Sequence, residues 1–71
     1  MNLAEGLARE IRRVTELRCF YEQAGRESPR LIVEPAMLMM DVALNSACEA
    51  FGSGDITKML TAHQDLKGFE K

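Results

Sequence analysis

The feature that most constrains this sequence is a segment with helical spacing, residues 35–51 (PAMLMMDVALNSACEAF), that is apolar on nearly every side. On a helical wheel, one face carries an apolar series consisting of Met37, Met40, Leu44, Ala47 and Phe51. Leu38, Met39 and Val42 spread over much of the remaining circumference. A helix that is apolar all round belongs in a core, in a membrane or between subunits. Because 71 residues offer little material to cover such a helix, the sequence predicts association.

A single domain of residues 1–71 buries only a small core, so it is expected to need a further source of stability, such as disulfides, a metal ion or oligomerisation. The two cysteines, Cys19 and Cys48, are too few for the disulfide framework of a small secreted protein. Together with the lone His63 they also lack the paired ligand spacing of a structural zinc site. Oligomerisation, most simply as a homodimer, is the remaining source of stability. We expect no metal or other cofactor.

The apolar segment is a poor candidate for a membrane span. Glu34 and Asp41 interrupt it, whereas a transmembrane helix needs about 20 mostly apolar residues. We recognise no secretory signal sequence and no dense cysteine pattern. The sequence therefore predicts a protein of the reducing cytoplasm that does not enter the membrane.

Charge is nearly balanced along the chain. Residues 1–30 carry six arginines and five glutamates, while residues 31–71 carry three lysines and six acidic residues. Proteins that bind nucleic acids usually present a basic stripe that is not matched by neighbouring acids. The arginines of the first 30 residues, which include Arg9, Arg12 and Arg13, are interleaved with glutamates, so nucleic-acid binding through this segment is the alternative rather than the preferred interpretation.

A first helix is predicted over about residues 3–24. Asn2 and Glu5 have the spacing of an N-terminal capping box, and Gly25 is placed to end the helix. One face carries an apolar stripe made of Leu3, Leu7, Ile11, Val14, Leu17, Tyr21 and Ala24. The opposite face is expected to be solvated, with ion pairs between Glu5 and Arg9 and between Glu16 and either Arg9 or Arg12.

Residues 25–34 are predicted to form a connector. Pro35 disfavours helical geometry at Glu34, although Ser28 and Pro29 would also suit the start of a helix. The short β-branched segment Leu31–Val33 is expected to lie extended across a helix or to pair weakly with a second copy.

The rest of the chain predicts a helical hairpin. The second helix covers about residues 35–51 and ends at Gly52, and either Ser53 or Asp55 caps the third helix. Apolar spacing in the third helix involves Ile56, Met59, Leu60, His63 and Leu66, and it ends at Gly68, after which Phe69 is free to fold back. The predicted fold class is all-α: a long N-terminal helix, a short extended connector and an αα-hairpin, completed by dimerisation.

Two sets of residues are candidate contact sites. The candidate oligomer interface lies on the second helix and consists of Met37, Leu38, Met40, Val42, Leu44 and Phe51. The candidate partner-binding site lies on the first helix, where Phe20 and Arg13 sit opposite the apolar stripe and Arg9 is nearby. Asp41 is expected to mark the edge of the buried surface or to pair with an arginine of the first helix.

Two other patterns have simpler interpretations than catalysis or ligand binding. Cys48 and His63 are the only pair that suggests nucleophilic catalysis, but no orienting acid or oxyanion device accompanies them, so they are interpreted as structural. The run Gly52–Asp55 precedes a helix as phosphate-binding loops do, yet it lacks the lysine of such loops and places a carboxylate where an anion would bind. Helix capping explains that run.

Two resemblances add to this interpretation. The turn of the predicted hairpin resembles that of a tetratricopeptide-type helical hairpin through Ala47, Ala50, Phe51, Gly54, Asp55 and Met59. This resemblance covers about a third of the chain and implies only the hairpin geometry, because the unit occurs once. The strings AREIRRVTELRCFYE, VEPAMLMMD and LKGFE resemble short uncharacterised helical proteins of bacterial phages and prophages. That resemblance implies an accessory protein that binds a host or phage protein.

The function predicted from the sequence is a small cytoplasmic protein–protein interaction or adaptor module that self-associates and is not an enzyme. The alternative is a nucleic-acid-binding regulator that uses the arginine-rich first helix. A third and less favoured option is a small enzyme or ligand carrier built around Cys48 and His63.

Overall fold

The computed structural model describes residues 2–70, which form three α-helices: α1 (Leu3–Glu27), α2 (Glu34–Ser53) and α3 (Ile56–Lys67). Each helix packs against both of the others, and the bundle measures 40 × 20 × 17 Å. The described residues contain no strand. The prediction of an all-α chain with a long first helix and a following hairpin is confirmed.

The core of the bundle is small and consists of apolar side chains from all three helices. The stripe on α1 is confirmed: Leu7, Val14 and Leu17 are buried, while Leu3, Ile11 and Tyr21 pack partly buried against the same core. The other two helices contribute six buried side chains, Met40, Ala47, Ala50, Met59, Ala62 and Leu66. Alanine supplies three of these six, and its small side chain allows the helix backbones to approach closely.

The face that α3 turns towards the core differs from the predicted one. Met59 and Leu66 are buried as expected, but Ile56 and Leu60 are exposed and Ala62 is buried in their place. Helical spacing alone favours large apolar residues for the core. In the structure, the small side chain of Ala62 allows α3 to pack closely against the other helices, and Ile56 and Leu60 remain at the surface.

The predicted end of α1 at Gly25 is wrong, because the helix continues to Glu27. Its last turn is closed by the Ser28 amide, which donates to the Ala24 carbonyl over 2.9 Å. Gly25 serves a tertiary purpose instead. A Cβ atom at this position would lie 2.8 Å from Cγ2 of Val33, so the missing side chain allows the connector to pack against α1.

The connector also differs from its prediction. Leu31 is held in a turn, its amide donating to the Ser28 carbonyl over 2.9 Å, and Val33 has helical torsion angles (φ −105°, ψ −16°) as the N-cap of α2. Glu34 is already helical although Pro35 follows it, and the extended conformation expected for Leu31–Val33 is therefore wrong. Proline disfavours helical geometry at the residue before it but does not forbid it. In the first turn of a helix its missing N–H group costs little, because an N–H group there has no hydrogen-bond partner within the helix.

The predicted end of α2 at Gly52 is wrong as well. The helix continues to Ser53 and ends at Gly54, whose φ of +71° lies in the left-handed region. Asp55 then caps α3, as predicted, by accepting a hydrogen bond from the Lys58 amide over 3.2 Å. The Ser53 hydroxyl accepts from the Asp55 amide, so these polar groups serve the turn between the two helices.

These two glycines provide a test of the turn. Gly52→Ala is expected to raise the free energy of unfolding by up to about 1 kcal/mol, because Gly52 is helical and a Cβ atom there meets nothing within 4 Å. Gly54→Ala is expected to lower it by about 1–2 kcal/mol, because the left-handed conformation disfavours any side chain. Urea denaturation of both variants checks this. Equal effects of the two substitutions would show that α2 does not end at Gly54.

Candidate association surface

In the first half of α2 the side that faces away from the bundle is apolar, whereas Asn45, Ser46 and Glu49 are exposed further along the helix. Met40, Ala47 and Ala50 point into the core, whereas Leu38, Met39 and Val42 are 64%, 63% and 59% exposed. Because Val42 follows Leu38 by four residues and Met39 by three, its side chain neighbours both of them on the helix surface, and the three side chains form one patch. Large exposed apolar patches often mark contact sites for another molecule, and this makes the patch a candidate contact site.

This patch forms one side of a shallow groove between α2 and the end of α3. The groove has a volume of about 460 Å³ and is lined by Leu38, Met39, Val42, Ala43, Ser46, Asp65 and Phe69. We call it the α2 groove. Phe69 folds back against the core, as the sequence predicted, and also forms the wall of the groove opposite the patch. Asp65 is the only charged residue among the lining residues that the structure describes.

Hydrogen bonds from α1 hold the backbone that carries Phe69. The Arg13 guanidinium donates to the carbonyl oxygens of Leu66 and Phe69 over 2.8 and 2.7 Å. It is also paired with the Glu10 carboxylate through two bonds of 3.1 and 3.2 Å. The hydroxyl of Tyr21 donates to the Glu70 carbonyl over 3.2 Å. The residues after α3 are thus fixed to α1 at several points.

The residues predicted to form an oligomer interface fall into three groups. Leu38 and Val42 lie in the α2 groove. Met40 is 1% exposed and belongs to the core of its own chain, while Leu44 packs partly buried against that core and Met37 is partly buried near the connector. Phe51 is exposed on another side of α2, in a shallow depression with Ala8, Ile11 and Cys48.

The residues predicted to bind a partner do not act as one unit. Phe20 is half exposed, with its ring 6.2 Å from the ring of Tyr21, and it lines a depression together with Arg13. Arg13 contributes its donors to the end of α3, so its hydrogen bonds are made within the chain. Arg9 is exposed. Partner binding at Phe20, Arg13 and Arg9 stays a prediction.

The ion pairs on α1 are not the predicted ones. Glu10 pairs with Arg13, and Glu22 pairs with both Arg18 and Arg26. Among the described residues, Arg9 and Arg12 form no ion pair within 4 Å, so the pairs expected with Glu5 and Glu16 are absent. The formed pairs are again three or four residues apart, and helical spacing does not decide between such alternatives.

Asp41 does pair with an arginine of α1, as expected. Arg18 donates to its two carboxylate oxygens over 2.5 and 3.2 Å, and this bidentate contact joins α1 to α2 beside the core. The hydrogen bond to Asp41, with the nearby charge of Glu22, raises the pKa of the Arg18 guanidinium above its ordinary value. The pair is partly exposed, so its contribution to stability is small.

The structure gives no geometry for catalysis at Cys48 and His63. Cys48 is an exposed free thiol beside Phe51, whereas the His63 ring packs near Gly6, where a Cβ atom would lie 3.5 Å from Nε2. Residues 2–70 contain no group of three or more histidine, cysteine or acidic side chains placed to hold a metal ion. In the same range, every helix is too short or too polar to cross a bilayer.

In comparisons with known proteins, no family model, curated protein or solved structure matches this chain. The interpretation of the surface therefore rests on its own geometry. Five of the seven described residues that line the α2 groove were not among the predicted interface residues, and the two large apolar ones among these five are Met39 and Phe69. The sequence could have indicated Met39, since it lies in the segment that is apolar on nearly every side. Phe69 was predicted only to fold back, and nothing in the sequence placed it in the same groove as Leu38.

Proposed function

We propose that this chain is a protein–protein interaction module that self-associates as a homodimer through the α2 groove. The observation that carries the proposal is the continuous exposed patch of Leu38, Met39 and Val42. The patch is apolar, its one charged neighbour in the lining is Asp65, and it is therefore complementary to an apolar surface such as its own copy. In a twofold dimer the same patch contributes from both chains, so α2 would pack against α2 of the second copy.

The total exposed surface area of the chain supports a second copy as the molecule that binds to the α2 groove. The structure exposes 5118 Å² for a mass of 8.0 kDa. Folded monomers of this mass expose about 4,450 Å². The surplus of roughly 670 Å² approaches the area of about 800 Å² that each partner contributes to a standard interface.

The number of exposed apolar side chains points the same way. The large apolar residues at the surface are Phe20, Leu31, Ile32, Leu38, Met39, Val42, Phe51, Ile56 and Leu60. Single exposed apolar residues are ordinary in small proteins, but Leu38, Met39 and Val42 are contiguous and border a groove. Ile56 and Leu60 are also one turn apart on α3, but the three residues of the α2 patch outnumber them and border a groove, and this makes the α2 groove the proposed place for a second chain.

Val42→Asp tests the proposal. The parent is expected to sediment at twice the chain mass of 8.0 kDa at micromolar concentration, and its melting temperature is expected to rise with concentration. Val42→Asp places an unpaired carboxylate in the interface twice, once in each copy, and is expected to cost about 3–5 kcal/mol of association free energy. Sedimentation equilibrium over a range of concentrations measures both results.

Ile56→Asp is the matched control. Ile56 is 66% exposed, much like Val42, and is also β-branched, but it lies at the start of α3 outside the α2 groove. This variant is expected to dimerise like the parent. A parent that remains monomeric with a concentration-independent melting temperature contradicts the proposal, as does equal weakening by the two substitutions.

The module is further proposed to act in the cytoplasm as an adaptor for another protein. The two free thiols, Cys19 and Cys48, are both exposed, which suits a reducing compartment. The resemblance to phage and prophage proteins favours a host or phage protein as the partner. Co-purification followed by identification of the bound protein tests the adaptor role, and its failure leaves the dimer proposal standing.

Nucleic-acid binding through α1 is the second candidate function. Arg9 and Arg12 are exposed and, within residues 2–70, form no ion pair. Glu5 and Glu16 are exposed on the same helical face, however, and their charges offset those of the arginines. Binding to duplex DNA that weakens steeply with salt and is lost in Arg12→Met favours this candidate over the dimer module.

A further inference from the structure

We infer that Arg13 is a positioning residue for the α2 groove and acts through Phe69. The inference rests on the proposed dimer and concerns how the interface is held in shape. Arg13 is not among the residues that line the groove. Its contacts instead hold the chain segment after α3, residues 68–70, which we call the C-terminal clasp.

The clasp crosses from α1 to α2. Its backbone is fixed on the α1 side, where Arg13 donates to the Phe69 carbonyl over 2.7 Å and Tyr21 donates to the Glu70 carbonyl over 3.2 Å. Phe69 also packs against the core and forms part of the wall of the α2 groove, together with Leu38 and Val42 of α2. The position of the aromatic ring against α2 is therefore set by hydrogen bonds made on α1.

Arg13 is well suited to this role. A guanidinium has donors in a fixed plane, and here they bind the Leu66 carbonyl, the Phe69 carbonyl and the Glu10 carboxylate at once. Glu10 is the less exposed partner of this ion pair and holds the guanidinium in place. Apart from Arg13, the backbone of the clasp is held by the Tyr21 hydroxyl at Glu70 and by the amides of Gly68 and Phe69, which donate to the nearby carbonyls of Asp65 and Leu66 over 3.3 and 3.1 Å.

This arrangement makes the dimer depend on a residue that does not touch the second chain. Loss of the Arg13 hydrogen bonds frees the clasp and removes the ordered Phe69 wall. Without these hydrogen bonds, the wall of the groove must become ordered when a second copy binds. The entropy lost in this ordering weakens the dimer. The effect passes through Phe69 alone, so Arg13 and Phe69 are expected to act as one unit.

Four variants of the full chain test the inference: Arg13→Met, Arg13→Lys, Phe69→Ala and the double variant Arg13→Met/Phe69→Ala. Dimer dissociation constants are measured by sedimentation equilibrium at a temperature at which circular dichroism shows each variant folded. Arg13→Met is expected to weaken dimerisation at least about tenfold, and Arg13→Lys is expected to restore part of the loss because an ammonium group also donates to carbonyls. The double variant is expected to be no weaker than Phe69→Ala.

Two further variants complete the design. Arg12→Met removes an exposed arginine next to Arg13 that has no ion pair in the described part of the chain, and it is expected to dimerise like the parent. Tyr21→Phe removes only the hydroxyl bound to Glu70 and is expected to weaken dimerisation a few-fold. If Arg13→Met does not fold, Tyr21→Phe and Arg13→Lys still measure the effect of the clasp.

The outcomes separate this inference from the proposed function. A parent that is monomeric overturns both. A dimeric parent whose dissociation constant is unchanged in Arg13→Met, with only a lower melting temperature, overturns the positioning role and leaves the dimer intact. Additive effects of Arg13→Met and Phe69→Ala also overturn it, because they show that Arg13 acts by a route other than Phe69.

Discussion

Met40→Ala is expected to lower the free energy of unfolding by about 2–5 kcal/mol, the cost of truncating a buried methionine and leaving a cavity. Met40 is 1% exposed and contributes the largest fully buried side chain of α2. The bundle has few other large core residues with which to close the cavity. Since small domains have little stability to spare, a loss of this size should leave a substantial part of the protein unfolded at ambient temperature.

Met39→Ala is the matched control for Met40→Ala, because it truncates the same side chain one residue earlier. Met39 lies in the α2 groove and is exposed. Its truncation is expected to change the stability of the isolated chain by less than about 0.5 kcal/mol. Urea denaturation at two protein concentrations separates the two positions. The loss in Met40→Ala is expected to persist on dilution, whereas any loss in Met39→Ala is expected to disappear as the proposed dimer dissociates. Losses of equal size in Met39→Ala and Met40→Ala at both concentrations would contradict the assigned orientation of α2.

Ala47→Leu is expected to destabilise the bundle by about 1–3 kcal/mol through overpacking. Ala47 is fully buried near the middle of the core face of α2. A leucine at this position can be accommodated only if α2 moves away from its neighbours or the surrounding side chains leave their preferred rotamers. Thermal unfolding followed by circular dichroism measures the loss.

Asn45→Leu provides the comparison for Ala47→Leu on the same helix. Asn45 is exposed, and leucine has the higher helix propensity, so this substitution is expected to leave the melting temperature unchanged or slightly higher. If Ala47→Leu proves as stable as the parent, then the helices are not packed as closely at Ala47 as the structure indicates. The pair of variants therefore tests close packing and not the mere addition of an apolar group.

The candidate surface was only partly predictable from the sequence. The prediction of association through α2 followed from an apolar helix in a small chain, and Leu38 and Val42 were named for it. Met40 was placed in the same set although it belongs to the core. The signal that separates them is the position of the polar residues: Asn45, Ser46 and Glu49 are exposed on the same side of α2 as Leu38 and Val42, whereas Met40 lies on the opposite side.

Arg13 illustrates a second limit. Its position opposite the apolar stripe suggested a residue that faces a partner, yet its guanidinium binds carbonyls at the end of α3, more than 50 residues away in sequence. Backbone carbonyls at a helix end are present in every helix and leave no trace in the choice of residues there. Contacts of a side chain with distant backbone therefore require the tertiary structure.

The sequence by itself determined the features that depend on local interactions. These are the number and order of the helices, the Asn2 cap of α1, the Asp55 cap of α3 and the apolar stripe of α1, because each depends on residues within a few positions of one another. Only the tertiary structure decided the end of α1, where Gly25 meets Val33, and the side of α3 that became exposed. Those features depend on how closely helices approach, and that distance is set by small side chains, such as Ala47 and Ala62, packing across the bundle.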